Sequence, residues 1–292
     1  MRRLIGWCVV LALGGTSTAR ADTFGDHWQD GRAELNGYRL VVDRYGAERE
    51  GTAVLIFVTE PFSESKRVKV DRPRGSADEF EALKLNLVRD FQTGIYDYNT
   101  MVSVFARTET MEPVKVSFSS AEWCGHVYQE LRVDPEEITG FLSSYFEDES
   151  QRYTLAHPED GVLEDALFIQ LRGLREPFLE PGETREVPFL PGMLASRFVH
   201  RSLEWTTAVI ERAAETRTVE VPAGPFVVTT YTVRVAGGRT GTVDIEAAWP
   251  HRVIGWRFAP DVRAELLGST RNAYWNLNGP GGEAALREIG LR

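Results

Sequence analysis

The stretch from residue 83 to residue 131 limits most what this chain can fold into. Leu83, Leu85 and Leu87 alternate with Lys84 and Asn86, the period-two pattern of a strand with one face in a core. Residues 95–107 follow after Gly94 and are rich in Tyr, Val, Thr and Phe, which suit a pleated surface. Val114, Val116 and Phe118 alternate again, and the pattern slips over residues 119–122, which predicts a bulge or bend. Beyond it Trp123, Val127 and Leu131 share one face, while Cys124, His126 and Tyr128 share the other. The connections are short. Parallel strands need long crossovers, so these strands are expected to be antiparallel, each paired with its neighbour in sequence.

The flanking sequence extends the pattern. Residues 38–45 read as a strand, 46–51 as a charged turn, and 52–59 as a strand apolar on both faces, which implies cover on both sides. Residues 66–70 read as a short charged edge strand. Asp134, Pro135 and two glutamates form a helix start, and Ile138, Phe141, Leu142 and Tyr145 follow at helical spacing. A second helix is predicted over 162–174 from the stripe Leu163, Ala166, Leu167, Leu171 and Leu174. Residues 175–192 hold four prolines and two glycines and read as a hinge or crossover. Strand runs then return from 205 to 258, with Gly237 and Gly238 as a hairpin turn, and a short helix is expected near 283–289.

The N-terminus reads as an address. Arg2 and Arg3 precede an apolar run over 4–13, and Ala19-Arg20-Ala21 has the small-x-small form of a signal-peptidase site. Cleavage is expected after Ala21, leaving residues 22–292 as one β-rich exported domain with a possible hinge at 175–192. The run is about half of the roughly 20 apolar residues that a spanning helix needs, and no later stretch is longer. No transmembrane segment is therefore expected after cleavage, and a periplasmic or secreted location follows. The chain carries 43 acidic against 33 basic residues, and cleavage would remove three of the arginines. So acidic a body disfavours nucleic acid, whose binding footprint is basic. Of the two cysteines, Cys8 lies in the leader, so Cys124 has no partner for an internal disulfide.

The runs GIYDYN (94–99), SVF (103–105) and SSAEWCGHVYQEL (119–131) stand between REGTAVLIFVTEPF (49–62) and the later PHRVIGW (250–256) and YWNLNGPGGEAAL (274–286). On these the chain resembles a family of exported bacterial proteins of uncharacterised function, over most of its length. Some members of that family carry the label "septum formation inhibitor Maf". The Ser-x-Ser-Pro-Arg-Arg phosphate loop of the true Maf pyrophosphatases has no counterpart here. The second half, with VPAGPF (221–226) opening a strand, also resembles a broader domain of envelope proteins. That resemblance implies a curved antiparallel sheet, similar to the open half-barrels of lipoprotein carriers.

Candidate chemistry is sparse. Cys124 and His126 lie two apart, and an imidazole beside a thiol can activate it as a nucleophile. Asp97 or Glu122 is the candidate third member. The five histidines have no metal-ligand spacing, and no GxSxG, phosphate-loop or dinucleotide motif is present. No metal or cofactor is expected. Ile56, Tyr96, Tyr98, Trp123, Tyr128, Trp205 and Trp256 are the candidate lining of an apolar ligand groove.

The expected fold is mainly β: a curved antiparallel sheet or open half-barrel with two or three packed helices. The leading expectation for function is non-enzymatic binding or carrying of a hydrophobic or envelope-derived ligand, such as a lipid or other amphipathic small molecule. The second is a thiol-dependent hydrolase or transferase, and the third a structural or protein-interaction role in the envelope, with the partner unspecified.

Overall fold

The computed structural model describes residues 23–259 and 262–292. The expected signal segment and its cleavage site lie outside them. A short helix, α1 (Thr23–Trp28), leads into β1 (Ala33–Arg44), β2 (Ala47–Ser63), β3 (Glu79–Thr93), β4 (Tyr96–Arg107), β5 (Pro113–Glu122), β6 (Gly125–Val133), β7 (Glu137–Ser144) and β8 (Gln151–Ala156). After β9 (Val162–Leu163) the chain forms a 3-10 turn (Glu164–Ala166) and α2 (Leu167–Gln170), then β10 (Thr184–Leu190) and α3 (Met193–Phe198). The strands β11 (Thr206–Arg212), β12 (Arg217–Val221), β13 (Gly224–Val235), β14 (Thr240–Glu246), β15 (Val253–Ala259) and β16 (Val262–Asn272) follow, with a terminal 3-10 helix (Gly282–Ile289).

All strands belong to one sheet in the order β8-β7-β6-β5-β4-β3-β2-β1-β16-β15-β14-β13-β11-β10-β9, with β12 paired to β13. Pairing is antiparallel except between β9 and β10. The path is open, ending at β8 and β9, but it is not flat. Residues 164–172 meet strands far apart in that order. The 3-10 turn lies against β4 and β5, and Arg172 meets Glu34 of β1. The Phe168 ring is 4.9 Å from Trp256 of β15, and Glu164 meets Arg239 in the β13–β14 turn. From β5 to β13 a flat sheet would extend about 38 Å at ~4.8 Å per strand, whereas the helical residues 164–170 span about 12 Å. The sheet must therefore curve round this segment, whose stripe Leu163, Ala166, Leu167, Leu171 and Leu174 is fully buried. One continuous core joins it to β1–β6 and to β10–β15. No helix among the described residues is long and apolar enough to cross a membrane.

Five expectations are corrected. The helix expected over 162–174 is helical only over 164–170, and residues 162–163 form β9. The helix predicted from Asp134 is β7, hydrogen-bonded to β6 and β8. Ile138 and Thr139 are β-branched and Gly140 is a poor helix residue. Gly140 also gives room to the Tyr153 ring, which a Cβ there would meet at 2.2 Å. The charged turn at 46–51 shrinks to Tyr45 and Gly46, both at positive φ, the geometry of a two-residue hairpin whose twist matches its strands. The charges beyond it lie on β2, where Glu48 pairs with Arg263. Residues 66–70 form no strand, only an isolated bridge of Lys69 to Phe62. Residues 175–192 are part turn and part β10, held in the sheet by β9 and β11.

Candidate functional site

The alternation of β3 continues past its leucines. Leu83, Leu85, Leu87, Arg89 and Phe91 share the inner face, and all five are buried. Arg89 is 7% exposed, and its Nε and Nη1 have no hydrogen-bond acceptor among the described residues. Burial lowers its pKa to about 10, against the weaker opposing pull of Asp165 and Glu164. Arg89 stands in a recess between β3, β15 and α3, lined also by Leu87, Phe168, Leu194, Phe198, Trp256 and Phe258. The recess holds about 580 Å3 of space up to its open mouth. The Trp256 Nε1 is likewise buried with no acceptor.

The roof of the recess, α3, is fastened from inside. Gly192, at its N-cap, donates its N–H to Glu164 Oε2 at 2.9 Å, and Met193 donates to Asp165 Oδ2 at 2.9 Å. A Cβ at residue 192 would approach Asp165 Oδ1 to 3.0 Å, so glycine permits this contact. Glu164 is also held by Arg239, at 2.5 and 2.7 Å. At the other end of α3, Arg197 donates to Glu122 at 2.7 Å, with both side chains buried. The carboxylates nearest Arg89 are thus committed elsewhere.

Burial pushes the Asp165 carboxyl up to about 6, with Glu164 adding repulsion; the Met193 N–H and the charges of Arg89 and Arg239 oppose the rise. The folded protein therefore holds this proton at a pH where the unfolded chain, near 3.8, has lost it. Stability from this group is lost as pH rises from about 4 through about 6. Asp165→Asn should raise stability at pH 7.5 relative to the parent, and the gain should vanish below pH 4. Paired urea titrations at the two pH values check this, and an equal effect at both would refute it.

The residues singled out in the sequence do not form one groove. Trp256 is buried and lines the recess. Tyr98 is buried and stacks on Phe91, with ring centroids 4.9 Å apart. Burial and the neighbouring Glu122 push its ionisation far above the usual range. Tyr96 packs against the core edge, and Ile56 lies half-buried on the face of β2 opposite Leu55 and Phe57. Trp205 donates Nε1 to the Ala156 carbonyl at 2.8 Å, linking the β8 end of the sheet to the segment before β11. Tyr128 is exposed and donates to Glu130.

Cys124 and Trp123 occupy the two-residue turn between β5 and β6, where Glu122 pairs with Gly125. The Cys124 thiol is exposed, as is His126, and no hydrogen bond joins them. The same-face argument fails because Cys124 is in the turn, not on the strand. Asp97 instead accepts from Trp123 Nε1 at 2.8 Å, and Glu122 is taken by Arg197. No cluster of His, Cys, Asp or Glu able to hold a metal ion occurs among the described residues.

A larger cleft, with about 1320 Å3 of space up to its open mouth, lies between Val114, Val133, the 157–161 loop and Val187. Its arginines are satisfied: Arg67 by Glu64 and Asp134, Arg107 by Glu64, and Arg185 by Glu183. That is the composition of a solvated polar surface, unlike the recess at Arg89.

The sequence reading missed Arg89, although a signal was present. It takes the next place on the stripe Leu83, Leu85, Leu87 and precedes Phe91 on the same face, so period two alone puts a cation in the core. Fold and recess together define the class: an open, curved β-sheet enclosing a helical segment, with an arginine-bearing apolar pocket beneath a short roof helix. Comparison of the chain with protein-family models, with curated proteins and with solved structures gave no match.

Proposed function

We propose that this protein binds a hydrophobic or amphipathic small molecule, without chemistry, in the recess beneath α3. One observation carries the reading: an apolar-walled recess opens to solvent from inside the main core, roofed by a six-residue helix whose N-cap has no side-chain cap of its own. Such concave apolar sites with a few placed polar groups are the ordinary form of small-molecule pockets. An acyl chain would enter through the open mouth and lie beneath α3. A location in the cell envelope belongs to the same reading and rests on residues 1–21.

The test has two parts. Protein isolated gently from an envelope fraction should release an amphipathic molecule on solvent extraction, identified by mass spectrometry. Purified protein should also bind a solvatochromic lipid probe, and Leu194→Asp should weaken that binding by about tenfold or more, as a charge in an apolar wall does. If no molecule is extracted and no probe binds, the reading is wrong.

The exposed thiol supports a narrower expectation. Cys124 should react with a maleimide in the native protein as fast as in urea, because its turn leaves it in solvent. Cys124→Ser should leave probe binding unchanged. Loss of binding in that variant would favour the thiol-dependent alternative.

A further inference from the structure

We infer that the polar end of the ligand is an anion, seated on Arg89 in the recess. The inference rests on the proposed function above and names the chemistry of the molecule bound. Arg89 is the recess cation to which no carboxylate is hydrogen-bonded, although Asp165 and Glu164 act on it through their charge. Arg239 is bonded through two nitrogens to Glu164, whose Oε2 also accepts from Gly192, and Asp165 bonds to Met193. Two N–H-bearing atoms of Arg89, Nε and Nη1, lie buried without an acceptor. Nη1 lies on the Cδ side of the guanidinium, away from Nε–H, so the two donors point in different directions and an anion takes a charge-assisted hydrogen bond from one of them.

A buried donor left unmade costs free energy, and a buried charged donor costs more. A ligand anion would supply one of the missing acceptors, while its apolar part lies against Phe168, Trp256, Phe258 and the α3 side chains. Trp256, on the same recess, also has a buried indole N–H without an acceptor. The recess carries no net charge at pH 7.5, with Arg89 and Arg239 set against Glu164 and Asp165, the last ionised above about pH 6.

The probes are 11-(dansylamino)undecanoic acid and the matched alcohol, which differ only at the terminal group. Full-length mature protein should bind the acid about tenfold or more tightly than the alcohol at pH 7.5, the range of a charge-assisted hydrogen bond. Arg89→Gln and Arg89→Met should bring the acid down to the affinity of the alcohol and leave the alcohol within about twofold of its original value. A thermal melt of each variant establishes that it is folded. Equal binding of acid and alcohol by the parent protein would overturn the anion assignment while leaving the apolar recess in place. So would an acid preference that survives both substitutions. Failure of both probes to bind ends the underlying reading and the assignment with it.

Discussion

Replacing Arg172 with methionine should destabilise the protein by about 3–5 kcal/mol, the cost of leaving a buried charge without its partner. At about 2–4 °C per kcal/mol for a chain of this size, the melting temperature should fall by roughly 10 °C. Arg172 follows α2 and points into β1. Its two Nη atoms each donate to one oxygen of Glu34 at 2.9 Å, and Nη2 also donates to the Pro250 carbonyl at 2.8 Å. Its Cζ lies 4.3 Å from the Phe57 ring centroid and 5.1 Å from that of Trp28. The side chains are 0% and 1% exposed, so neither water nor salt screens the pair. Methionine would fill much of the volume, which isolates the charge as the cause. Glu34 would keep only Asn36 as a side-chain donor. The double variant Glu34→Gln, Arg172→Met should therefore be less destabilised than the sum of the single changes, by about 1–3 kcal/mol. A loss under about 1 kcal/mol in the single variant would show that Glu34 is protonated or hydrated instead.

Strand content was legible because it rests on local alternation. The inner face of β3 shows it from Leu83 to Phe91, and β5 continues it to Glu122 without the bulge expected over 119–122, while the Gly237-Gly238 turn with both residues at positive φ stands where two glycines make it inexpensive. What the pattern could not resolve was the competition between local and distant partners. The sequence from Asp134 to Tyr145 satisfies helix rules on its own, and only the ladders to β6 and β8 decide for a strand. The inner polar residues were hidden for a related reason. Glu34 and Asn36 lie on the same face as Tyr38, Leu40 and Val42, but Leu35 and Val41 stand on the opposite parity and blur the alternation. Nothing near Glu34 in sequence announces a cation. Arg172 arrives 138 residues later, through a segment whose path inside the curved sheet is set by tertiary packing. Cys124 and His126 show the opposite error: their spacing was read as a strand, but the two-residue turn between β5 and β6 breaks the parity on which their pairing depended.

Arg89 should behave in the reverse sense to Arg172, although both are buried arginines. Arg89→Met is expected to stabilise the folded protein by about 1–3 kcal/mol at pH 7. The sign follows from proton affinity. Burial lowers the Arg89 pKa from 12.5 to about 10, and each tenfold loss of proton affinity corresponds to about 1.4 kcal/mol, so holding the charge in the fold costs up to about 3 kcal/mol. Below pH 10 both folded and unfolded chains carry the proton, so the whole cost is present at neutral pH and is relieved only as pH rises from about 10 towards 12.5. Methionine removes the charge and the two unmade donors, and its side chain suits a wall of Leu87, Phe168 and Phe258. The same change should abolish the acid preference of the recess, so stability and binding should move in opposite directions. That divergence separates a binding arginine from a structural one, because removing Arg172 lowers stability while removing Arg89 raises it. Urea unfolding of Arg89→Met beside the parent decides the point: a midpoint shifted upward with unchanged slope is expected, and a downward shift of 1 kcal/mol or more would mean that Arg89 is held by partners in the native protein and is not free to receive a ligand.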